Sequence, residues 1–315
     1  SNPFISKPWR ILVKPFGLGP GNAIRNPIGE GRVSVRSVWK LLNFKANHRK
    51  VIITDKSLLV TSANPHSGSS AHWNVALRVD GEGQALALES EEAIINFSGA
   101  EEMGLDRRAI RESKQLGDLS LPLLELLTEI RIKEKALEML AAAPSGARVE
   151  LCMFYFSDKD LIQGLVEARE RGCDARVILD PNKDAFGRAK NGVPNRQSAA
   201  RLAKAGIPVR WADTHGEQCH VKMLYAERGD GTATLLLGSS NFTRRNLDNF
   251  NAECNLAVTA AVDDSNMERA RSVFDRWWSN PDGRTYTTCY ATYEDRSRWL
   301  KFLAWWMETT GMSSF

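Results

Sequence analysis

Apolar and polar residues alternate along the middle of the chain with periods that change from helix to strand and back. Apolar residues at helical spacing run from about Leu121 to Ala143, where a Pro-Ser-Gly turn ends them. A second amphipathic helix is predicted from Asp158 to Arg171, with Ser157 as its N-cap and the following glycine as its end.

Strand-like runs separate and follow these helices. They read VELCMFYF at 149–156, ARVILD at 175–180 and IPVRW at 207–211. A loop rich in Gly, Asn and Pro is predicted at 181–195, before a helix that reaches residue 206. Strands that alternate with helices predict an α/β sandwich built on a mixed sheet.

Two stretches of the chain share one order of features despite low identity. The early copy reads NHRKVIITDKSLLVTSANP and continues into AHWNVALRV; the late copy reads CHVKMLYAERGDGTATLLLGSSNF and continues into NFNAECNLAV. Each contains a His-x-Lys, an apolar run, an acidic residue, a second apolar run, a small-residue turn ending in Asn, and another alternating strand. The chain is therefore predicted to contain an internal repeat.

The two copies differ in what precedes them. The late copy follows a strand-helix-strand-helix-strand series, whereas only 47 residues precede the early His48. We therefore expect this chain to begin inside the first repeat. The predicted domains are residues 1–115, the first repeat with a charged connecting helix within 92–115, and residues 116–315, the second repeat with a carboxy-terminal helix.

Composition fits a globular chain. Of its 315 residues, 43% are hydrophobic, enough for a core, and 42 basic against 38 acidic residues leave a net charge of +4, which suits an anionic substrate. The five cysteines are scattered and odd in number, so we expect free thiols. No membrane helix or signal peptide is recognisable, and a cytoplasmic or peripheral-membrane location is favoured over secretion.

The two His-x-Lys pairs are the residues that predict chemistry. Side chains two apart on a strand lie on one face, so His48 and Lys50 project together, as do His220 and Lys222. An imidazole can attack phosphorus or move protons, while the ammonium neutralises the non-bridging oxygens of a phosphodiester. One such pair usually marks only a surface strand; two pairs, each followed by a Ser-x-Asn turn, indicate a site.

Both stretches resemble the paired HKD motifs of the phospholipase D superfamily, HxKxxxxD followed by GSxN. The resemblance spans roughly residues 47–79 and 149–278, and bacterial cardiolipin synthase-like members are the most similar. The matching residues are His48, Lys50, Asp55 and the TSAN turn in the first copy, and His220, Lys222 and the GSSN turn in the second.

The match departs from the family pattern at three points. Thr61 stands where Gly is usual, the spacing from Asp55 to the turn is one residue short, and Glu227 replaces the second Asp. Because these acidic positions are mostly structural in the family, Glu227 affects local packing more than chemistry.

The resemblance implies two pseudo-repeated α/β/α sandwich halves with mixed sheets and one active site at their interface. It implies that one histidine attacks phosphorus to give a phosphohistidine, while the other protonates the leaving alkoxide, with no metal or other cofactor. Because one chain carries both motifs, no dimer is needed to complete the site.

The strands after the two turns differ in one acidic residue. The late strand offers Glu253 where the early strand has alanine. In the superfamily an acidic residue of one half often bonds the imidazole of the other half. We therefore expect Glu253 to orient His48 as the nucleophile, with His220 as the acid.

Residues around the two turns are candidates for contacts to the substrate. The two asparagines would donate hydrogen bonds to phosphate oxygens. For the serines, turn formation is the favoured alternative, and for the arginines an exposed basic loop accounts for the pattern equally well. The candidates are Asn64, Asn241, Ser62, Ser239, Arg244 and Arg245.

Three further histidines and one cysteine lie near the motifs. His66, His72 and His215 are predicted mostly to stay outside the site. Cys219 should face away from its neighbour His220, because adjacent residues on a strand point to opposite sides, so no cysteine-histidine dyad is expected.

The carboxy-terminal stretch DRSRWLKFLAWWMETTG predicts one helix with several aromatic residues beside basic ones. Such a helix can lie in a bilayer interface. Packing on the core is the favoured alternative. The aromatic residues are Trp299, Phe302, Trp305 and Trp306.

These features favour a metal-independent phosphodiesterase or phosphatidyltransferase that acts on phospholipids, with a peripheral membrane surface as a further partner. A nuclease with the same chemistry is the first alternative, and the small net charge disfavours nucleic acid as a partner. A catalytically inactive lipid-binding module is the second, and the intact motifs disfavour it.

Overall fold

The structure is a computed structural model. It describes residues 3–17, 24–25, 32–36, 46–80, 84–97, 122–185, 188–189, 191–295 and 297–310. Most of the connecting segment expected within 92–115 lies outside the described residues.

Helices and strands alternate through the second part of the chain, as the periodicity predicted. The helices are α1 (Pro3–Leu12), α2 (Gln84–Phe97), α3 (Ile130–Ala142), α4 (Lys159–Glu170), α5 (Asn195–Lys204), α6 (Arg244–Leu247), α7 (Ser265–Ser279) and α8 (Arg298–Thr310). The strands are β1 (Ile24–Arg25), β2 (Arg32–Val33), β3 (Val51–Ile53), β4 (Ser57–Thr61), β5 (Ala76–Asp80), β6 (Leu123–Thr128), β7 (Arg148–Met153), β8 (Asp174–Leu179), β9 (Asp184–Ala185), β10 (Arg188–Ala189), β11 (Val209–Ala212), β12 (Lys222–Glu227), β13 (Thr232–Gly238), β14 (Cys254–Ala261) and β15 (Thr287–Cys289).

An eight-stranded mixed sheet forms the centre of the fold. Its strand order is β15-β11-β8-β7-β12-β13-β14-β6. The neighbours β7, β8 and β11 are parallel, joined by the crossover helices α4 and α5, and the remaining pairs are antiparallel. The α/β class with a mixed sheet, predicted from the sequence, is confirmed.

The early copy forms a separate three-stranded sheet of order β3-β4-β5. In the described residues all of its pairs are antiparallel. A mixed sheet had been expected for the first half, and the described part of this sheet differs from that expectation. Its strand order matches the β12-β13-β14 meander of the late copy, with a His-x-Lys before or at the first strand and a Ser-x-Asn turn after the second.

The large sheet is covered on both faces. Helices α3, α4 and α5 pack on one face, around buried side chains such as Leu151, Trp211 and Leu224. On the other face, α7 packs through Phe274, and residues of the small sheet such as Leu77 join the same core. Both faces are apolar because each is buried, which gives these central strands their near-continuous hydrophobic runs.

The helix predicted from Leu121 to Ala143 is wrong in its first part. Residues Leu123–Thr128 form β6, which pairs with β14 at the edge of the large sheet, and the helix begins only at Ile130. Between them, Glu129 adopts a positive φ of 49°, which ends the strand and lets the chain turn into the helix. The run LLELL has helical propensity, but the open edge of β14 offers a full ladder of hydrogen bonds that outweighs it.

The cap predicted for α4 is also wrong by one residue. Asp158 is the N-cap, and its carboxylate accepts from the main-chain N–H groups of Asp160 and Leu161. Ser157 instead donates its hydroxyl to Glu308 at 2.7 Å. A carboxylate at this position both caps the helix and meets the positive end of its dipole, so it competes well against a hydroxyl.

Main-chain hydrogen bonds join the two copies crosswise. His48 N donates to Ala252 O at 2.9 Å, so the segment before β3 pairs with the segment before β14. Reciprocally, Trp73 N donates to Gln218 O at 2.9 Å, so the segment before β5 pairs with the segment before β12. These bridges bring both His-x-Lys pairs to the junction of the two sheets.

Candidate active site

Each His-x-Lys pair lies where a strand begins. Lys222 is the first residue of β12, and Lys50 directly precedes β3. In both pairs the lysine Nζ donates to the main-chain carbonyl of its own histidine, at 2.9 Å. The two copies therefore hold their ammonium groups in one local geometry, although they belong to different sheets.

The His48 imidazole is held by a carboxylate from the other copy. His48 Nδ1 lies 2.8 and 3.0 Å from the two oxygens of Glu253. Glu253 is fully buried and also accepts hydrogen bonds from Ser239 Oγ and Asn246 Nδ2. Because an ionised carboxylate can only accept, Nδ1 carries the hydrogen and Nε2 keeps the lone pair.

The His220 imidazole is held by a main-chain carbonyl from the other copy. Its Nδ1 lies 2.8 Å from Ser62 O, and only 4% of the residue is exposed. A carbonyl also only accepts, so here too Nε2 carries the lone pair in the neutral ring. The two neutral rings thus share a tautomer but have different partners: among the described residues, His48 Nδ1 contacts a carboxylate and His220 Nδ1 contacts a main-chain carbonyl.

Electrostatic interactions link the charged groups of both copies. Burial holds the pKa of His220 far below its usual value, and electrostatic repulsion from the neighbouring basic groups, first of all Lys222 and Lys50, lowers it further. Burial also lowers the pKa of Lys50 to about 8, which the Glu253 carboxylate partly opposes. The pKa of Lys222 is well below its usual value because of burial and the nearby Lys50 ammonium. This concentration of positive charge at one place favours an anion.

The two predicted asparagines lie at the ends of their turns. Asn64 is half-buried, and its main-chain N–H is fixed by Ser69 Oγ at 3.0 Å. Asn241 is 4% exposed, and its side-chain oxygen has no hydrogen-bond partner within the described residues. This buried oxygen can accept a hydrogen bond from a ligand, whereas only the amide nitrogen of Asn241 could donate to a phosphate oxygen.

The two predicted serines do not face a substrate. Both are fully buried. Ser239 Oγ donates to Glu253, and Ser62 Oγ donates to Asn74 Oδ1 at 3.1 Å while accepting from Val75 N. Since both hydroxyls are used inside the protein, we reassign Ser62 and Ser239 from substrate binding to positioning of the two histidines.

Arg244, a candidate for substrate contact, is hydrogen-bonded within the protein. Its main-chain N donates to Glu308 Oε1 at 2.9 Å, its Nε donates to Asp248 at 3.2 Å, and its guanidinium also donates to the carbonyl of Thr309. Arg244 therefore fastens the end of α8 to the loop after β13. Arg245 is half-buried, and burial lowers its pKa, so its contact with substrate stays a prediction.

The acidic motif positions lie far along their strands from the histidines. Asp55 is exposed in the turn between β3 and β4. Glu227 ends β12, where its carboxylate accepts from Arg148 N at 3.0 Å. This contact accounts for the structural role expected of Glu227.

Two residues of the site were not assigned to it from the sequence. The Phe154 ring centroid lies 4.8 Å from that of His220, and Lys222 Nζ lies 5.0 Å from the Phe154 ring. The His72 ring lies 6.1 Å from His220, with its Nε2 3.4 Å from Glu217. No local signal identifies Phe154, because its position depends on the pairing of β7 with β12. For His72, the signal was its closeness to the first turn.

Two further observations concern metals and membranes. Among the described residues, no group of three or more His, Cys, Asp or Glu side chains is arranged to hold a metal ion. In the same part of the chain, every helix is too short or too polar to cross a bilayer.

Comparisons with known proteins agree with the motif. Residues 137–278 match the family described as "Cardiolipin synthase, PLD-like domain". Human mitochondrial cardiolipin hydrolase is 30% identical over 156 residues, which are 49% of this chain and 55% of that protein, so the chain spans about half of its relative.

Similar solved structures include Nuc, a phospholipase D family member from Salmonella typhimurium, with 18% identity over 53% of this chain and 99% of Nuc, and a TM-score of 0.40. They also include polyphosphate kinase from Porphyromonas gingivalis, with 14% identity over 85% of this chain and 40% of that chain, and a TM-score of 0.44.

The mixed α/β fold and the paired motifs are consistent with the family match: residues 137–278 of the chain form a phospholipase D-like domain.

Proposed function

We propose that this chain hydrolyses phospholipids, or transfers their phosphatidyl group to an alcohol, through a phosphohistidine at His48. The observation that carries the proposal is the buried Glu253 carboxylate on His48 Nδ1, beside the lysines of both motifs. A fixed carboxylate makes Nε2 more nucleophilic and stabilises the positive ring that forms when Nε2 bonds to phosphorus.

The first chemical step transfers the phosphatidyl group to the protein. His48 Nε2 attacks phosphorus with its lone pair, and the bond from phosphorus to the head-group oxygen breaks. That oxygen takes a proton from His220 Nε2. His220 is neutral in the free protein, because burial and neighbouring cations lower its pKa. An anionic phosphodiester between Lys50 and Lys222 offsets that repulsion and raises the pKa of His220. Substrate binding therefore allows His220 to take up a proton from solvent.

The second step releases the product and restores both histidines. His220, now neutral, takes a proton from water or from an acceptor alcohol, whose oxygen attacks phosphorus. The bond between phosphorus and His48 Nε2 breaks. Water gives phosphatidic acid, and an alcohol gives a new phosphatidyl ester. Throughout, Lys50 and Lys222 neutralise the non-bridging oxygens, and the side-chain NH2 of Asn241 donates hydrogen bonds to them.

Three observations favour a lipid as the substrate. The matching family and the human relative both carry cardiolipin in their names. Helix α8 exposes large aromatic side chains. The chain has only a small excess of basic residues, whereas binding along a nucleic-acid backbone draws on many cations.

The test is turnover of defined substrates. The protein is incubated with detergent micelles that contain cardiolipin, phosphatidylglycerol or phosphatidylethanolamine, with and without glycerol as acceptor. Separate samples contain single-stranded DNA, double-stranded DNA or RNA. A chelator is added to half of the samples. Mass spectrometry should detect phosphatidic acid or a transfer product, and the chelator should leave the rate unchanged.

Variants locate the activity. His48→Ala and His220→Ala should each lower the rate by about a thousandfold or more, while Lys56→Ala, on the exposed β3–β4 turn, should leave it unchanged. Cleavage of nucleic acid without lipid turnover would replace this proposal by a nuclease. Equal rates in both histidine variants and the native protein would reject the site.

A further inference from the structure

Helix α8 carries a continuous row of aromatic side chains that the rest of the described chain leaves exposed. Trp299 is 67% exposed, Phe302 51%, Trp305 53% and Trp306 40%. The rings of Trp299 and Phe302 lie 5.7 Å apart, and those of Phe302 and Trp305 lie 5.9 Å apart, so the row extends along the helix. Single exposed apolar residues are common, but a contiguous patch of this kind marks a binding surface.

The opposite side of α8 fixes the helix to the protein. Ala304 is buried in a cluster with Phe154 and Tyr155, and Leu300 and Met307 pack against the same cluster. The helix is therefore packed against the protein, and its aromatic side chains are exposed although the helix itself is docked.

Polar contacts secure the same side of the helix near its carboxyl end. The buried Glu308 carboxylate accepts from Ser157 Oγ at 2.7 Å and from Arg244 N at 2.9 Å. The helix thus presents its aromatic face in one fixed direction.

Cationic side chains surround one edge of this aromatic face. A groove of about 350 Å³ lies between α4, α5 and α8, and Trp305 lines it. Four exposed basic residues line the same groove, and its acidic residue, Glu308, is buried and already hydrogen-bonded. The basic residues are Lys159, Arg201, Lys204 and Lys301. The surface is therefore aromatic on one side and positively charged on the other.

We propose that this face of α8 binds the surface of an anionic phospholipid bilayer. Tryptophan prefers the depth of the lipid head groups, where its ring is apolar and its N–H can still find a partner. Lysine and arginine beside it attract anionic head groups through charge. Lys301 lies one helical turn before Trp305, so insertion of the ring brings that ammonium to the phosphate level.

The position of this surface connects it with the active site. Phe154 packs in the cluster that holds α8, and its ring lies 4.8 Å from the His220 ring. Phe154 therefore links the helix to His220, because one side chain packs near both. If the proposed function is right, docking of α8 on a bilayer would bring the active site to its lipid substrate, and in this respect the inference rests on the proposed function. Binding itself can be measured without turnover.

The test is flotation of the protein with vesicles of two compositions. Vesicles of equal parts phosphatidylglycerol and phosphatidylcholine should bind the protein at low salt. Pure phosphatidylcholine vesicles should bind at least about tenfold less protein. Trp299→Ser with Trp305→Ser should lower binding at least tenfold, and Lys204→Ser with Lys301→Ser should lower it about fivefold per charge. Trp→Phe at positions 299 and 305 should retain binding and reduce the quenching of tryptophan fluorescence by brominated lipids, with Trp306 as the remaining tryptophan of this face.

Matched controls are exposed residues outside α8. Ile52→Ser with Leu123→Ser removes two exposed apolar side chains elsewhere on the protein, and Lys56→Ser removes an exposed charge; both variants should bind vesicles as the native protein does. Circular dichroism and thermal melting confirm that each variant is folded. Native binding by the tryptophan variant, equal binding to both vesicle types, or dimerisation through α8 without vesicle binding overturns the inference.

The outcomes also separate this inference from the proposed function. Turnover of lipid in detergent micelles without vesicle binding refutes only the membrane surface. Vesicle binding without turnover of any phospholipid refutes only the proposed function. If both hold, the ratio of vesicle to micelle turnover should fall in the tryptophan variant.

Discussion

Glu253 Oε1 lies 2.8 Å from His48 Nδ1, although 205 positions separate the two residues in the sequence. The carboxylate is fully buried and receives further hydrogen bonds from Ser239 and Asn246, so its orientation is fixed before any ligand arrives. In the described parts of the chain His220 has no such acid beside it, and its Nδ1 donates to the main-chain carbonyl of Ser62. The site is therefore chemically asymmetric although its two copies are alike in order.

Glu253→Gln should remove most of the activity without unfolding the protein. An amide oxygen in place of Oε1 can still accept from Asn246, and an NH2 in place of Oε2 can donate to the Ser239 hydroxyl and to His48 Nδ1. That places the ring hydrogen on Nε2 and blocks attack on phosphorus. We expect kcat to fall by about a hundredfold or more with little change in KM. Ser239→Ala, which leaves the carboxylate in place, should lose much less; equal losses in the two variants would contradict this account.

The pH dependence of stability should report the neutral state of His220. Burial and neighbouring lysines lower its pKa from the usual 6.5, so below that pH the unfolded chain binds a proton that the folded protein does not. The free energy of unfolding should therefore decrease as pH falls through 6.5. His220→Asn keeps a donor for Ser62 O and should reduce that slope, by at most about 1.4 kcal/mol per pH unit.

Denaturant unfolding between pH 7.5 and pH 5 measures both slopes. His72 also has a pKa lowered by burial, with the same sign, so the variant should keep part of the dependence. A slope that is unchanged in His220→Asn would mean that His220 is already protonated in the folded protein.

Lys50 should set an alkaline limb in the activity profile. Its pKa is lowered to about 8 by burial, and Glu253 opposes that shift. In the free enzyme, loss of this ammonium removes charge that holds the phosphate, so kcat/KM should decrease above about pH 8. In Glu253→Gln the residual activity should show the same limb at a lower pH. A limb at the same pH in both proteins would exclude Lys50 as its source.

Local patterns predicted part of the fold well. The periods of apolar residues identified α4, β8 and the strand at β11 because those signals are confined to a few neighbouring residues. They failed at β6, where the sequence LLELL favours a helix and only the free edge of β14 makes it a strand. They also failed at the α4 cap, because the Ser157 hydroxyl is taken by Glu308, 151 positions away.

The candidate site was predictable where a motif stands in the sequence and not where packing alone assembles it. Comparison of the two copies predicted a contact between Glu253 and His48, and the structure contains that contact; the nucleophilic role of His48 stays a prediction. Ser62 and Ser239 were named as candidates for substrate contact, with turn formation as the favoured alternative, because the sequence does not show whether a turn serine points its hydroxyl outwards or inwards. Phe154 was missed because only the neighbourhood of β7 and β12 brings it to His220.

Glu308→Ala should destabilise the protein through α8. The carboxylate accepts from Ser157 Oγ and Arg244 N in a buried place, so its removal leaves both donors unpaired. We expect a loss of about 1–3 kcal/mol in the free energy of unfolding. Glu308→Gln keeps an acceptor oxygen and should lose less. Glu170→Ala, at an exposed position, should stay within about 0.5 kcal/mol of the native protein; an equal effect of Glu308→Ala and Glu170→Ala would contradict the role of Glu308.

Capture of the covalent intermediate should decide which histidine is the nucleophile. A soluble phosphodiester with a p-nitrophenyl group is suitable, because p-nitrophenolate leaves without a proton. In His220→Asn, His48 can still attack, but no base then activates water, so the adduct should accumulate. The variant should release about one equivalent of p-nitrophenol per protein in a burst and then stall. His48→Asn should show no burst.

Mass spectrometry of peptides prepared at alkaline pH, where a phosphorus–imidazole bond survives, should find the added group on the peptide that contains His48. Its formation should be faster in His220→Asn than in His220→Asn with Glu253→Gln, because the carboxylate holds His48 in the tautomer whose Nε2 is free to attack. Adduct on His220 in otherwise native protein would reverse the two roles. That outcome would also mean that the carboxylate on His48 serves the acid, since a carboxylate stabilises an imidazolium as well as it orients a nucleophile.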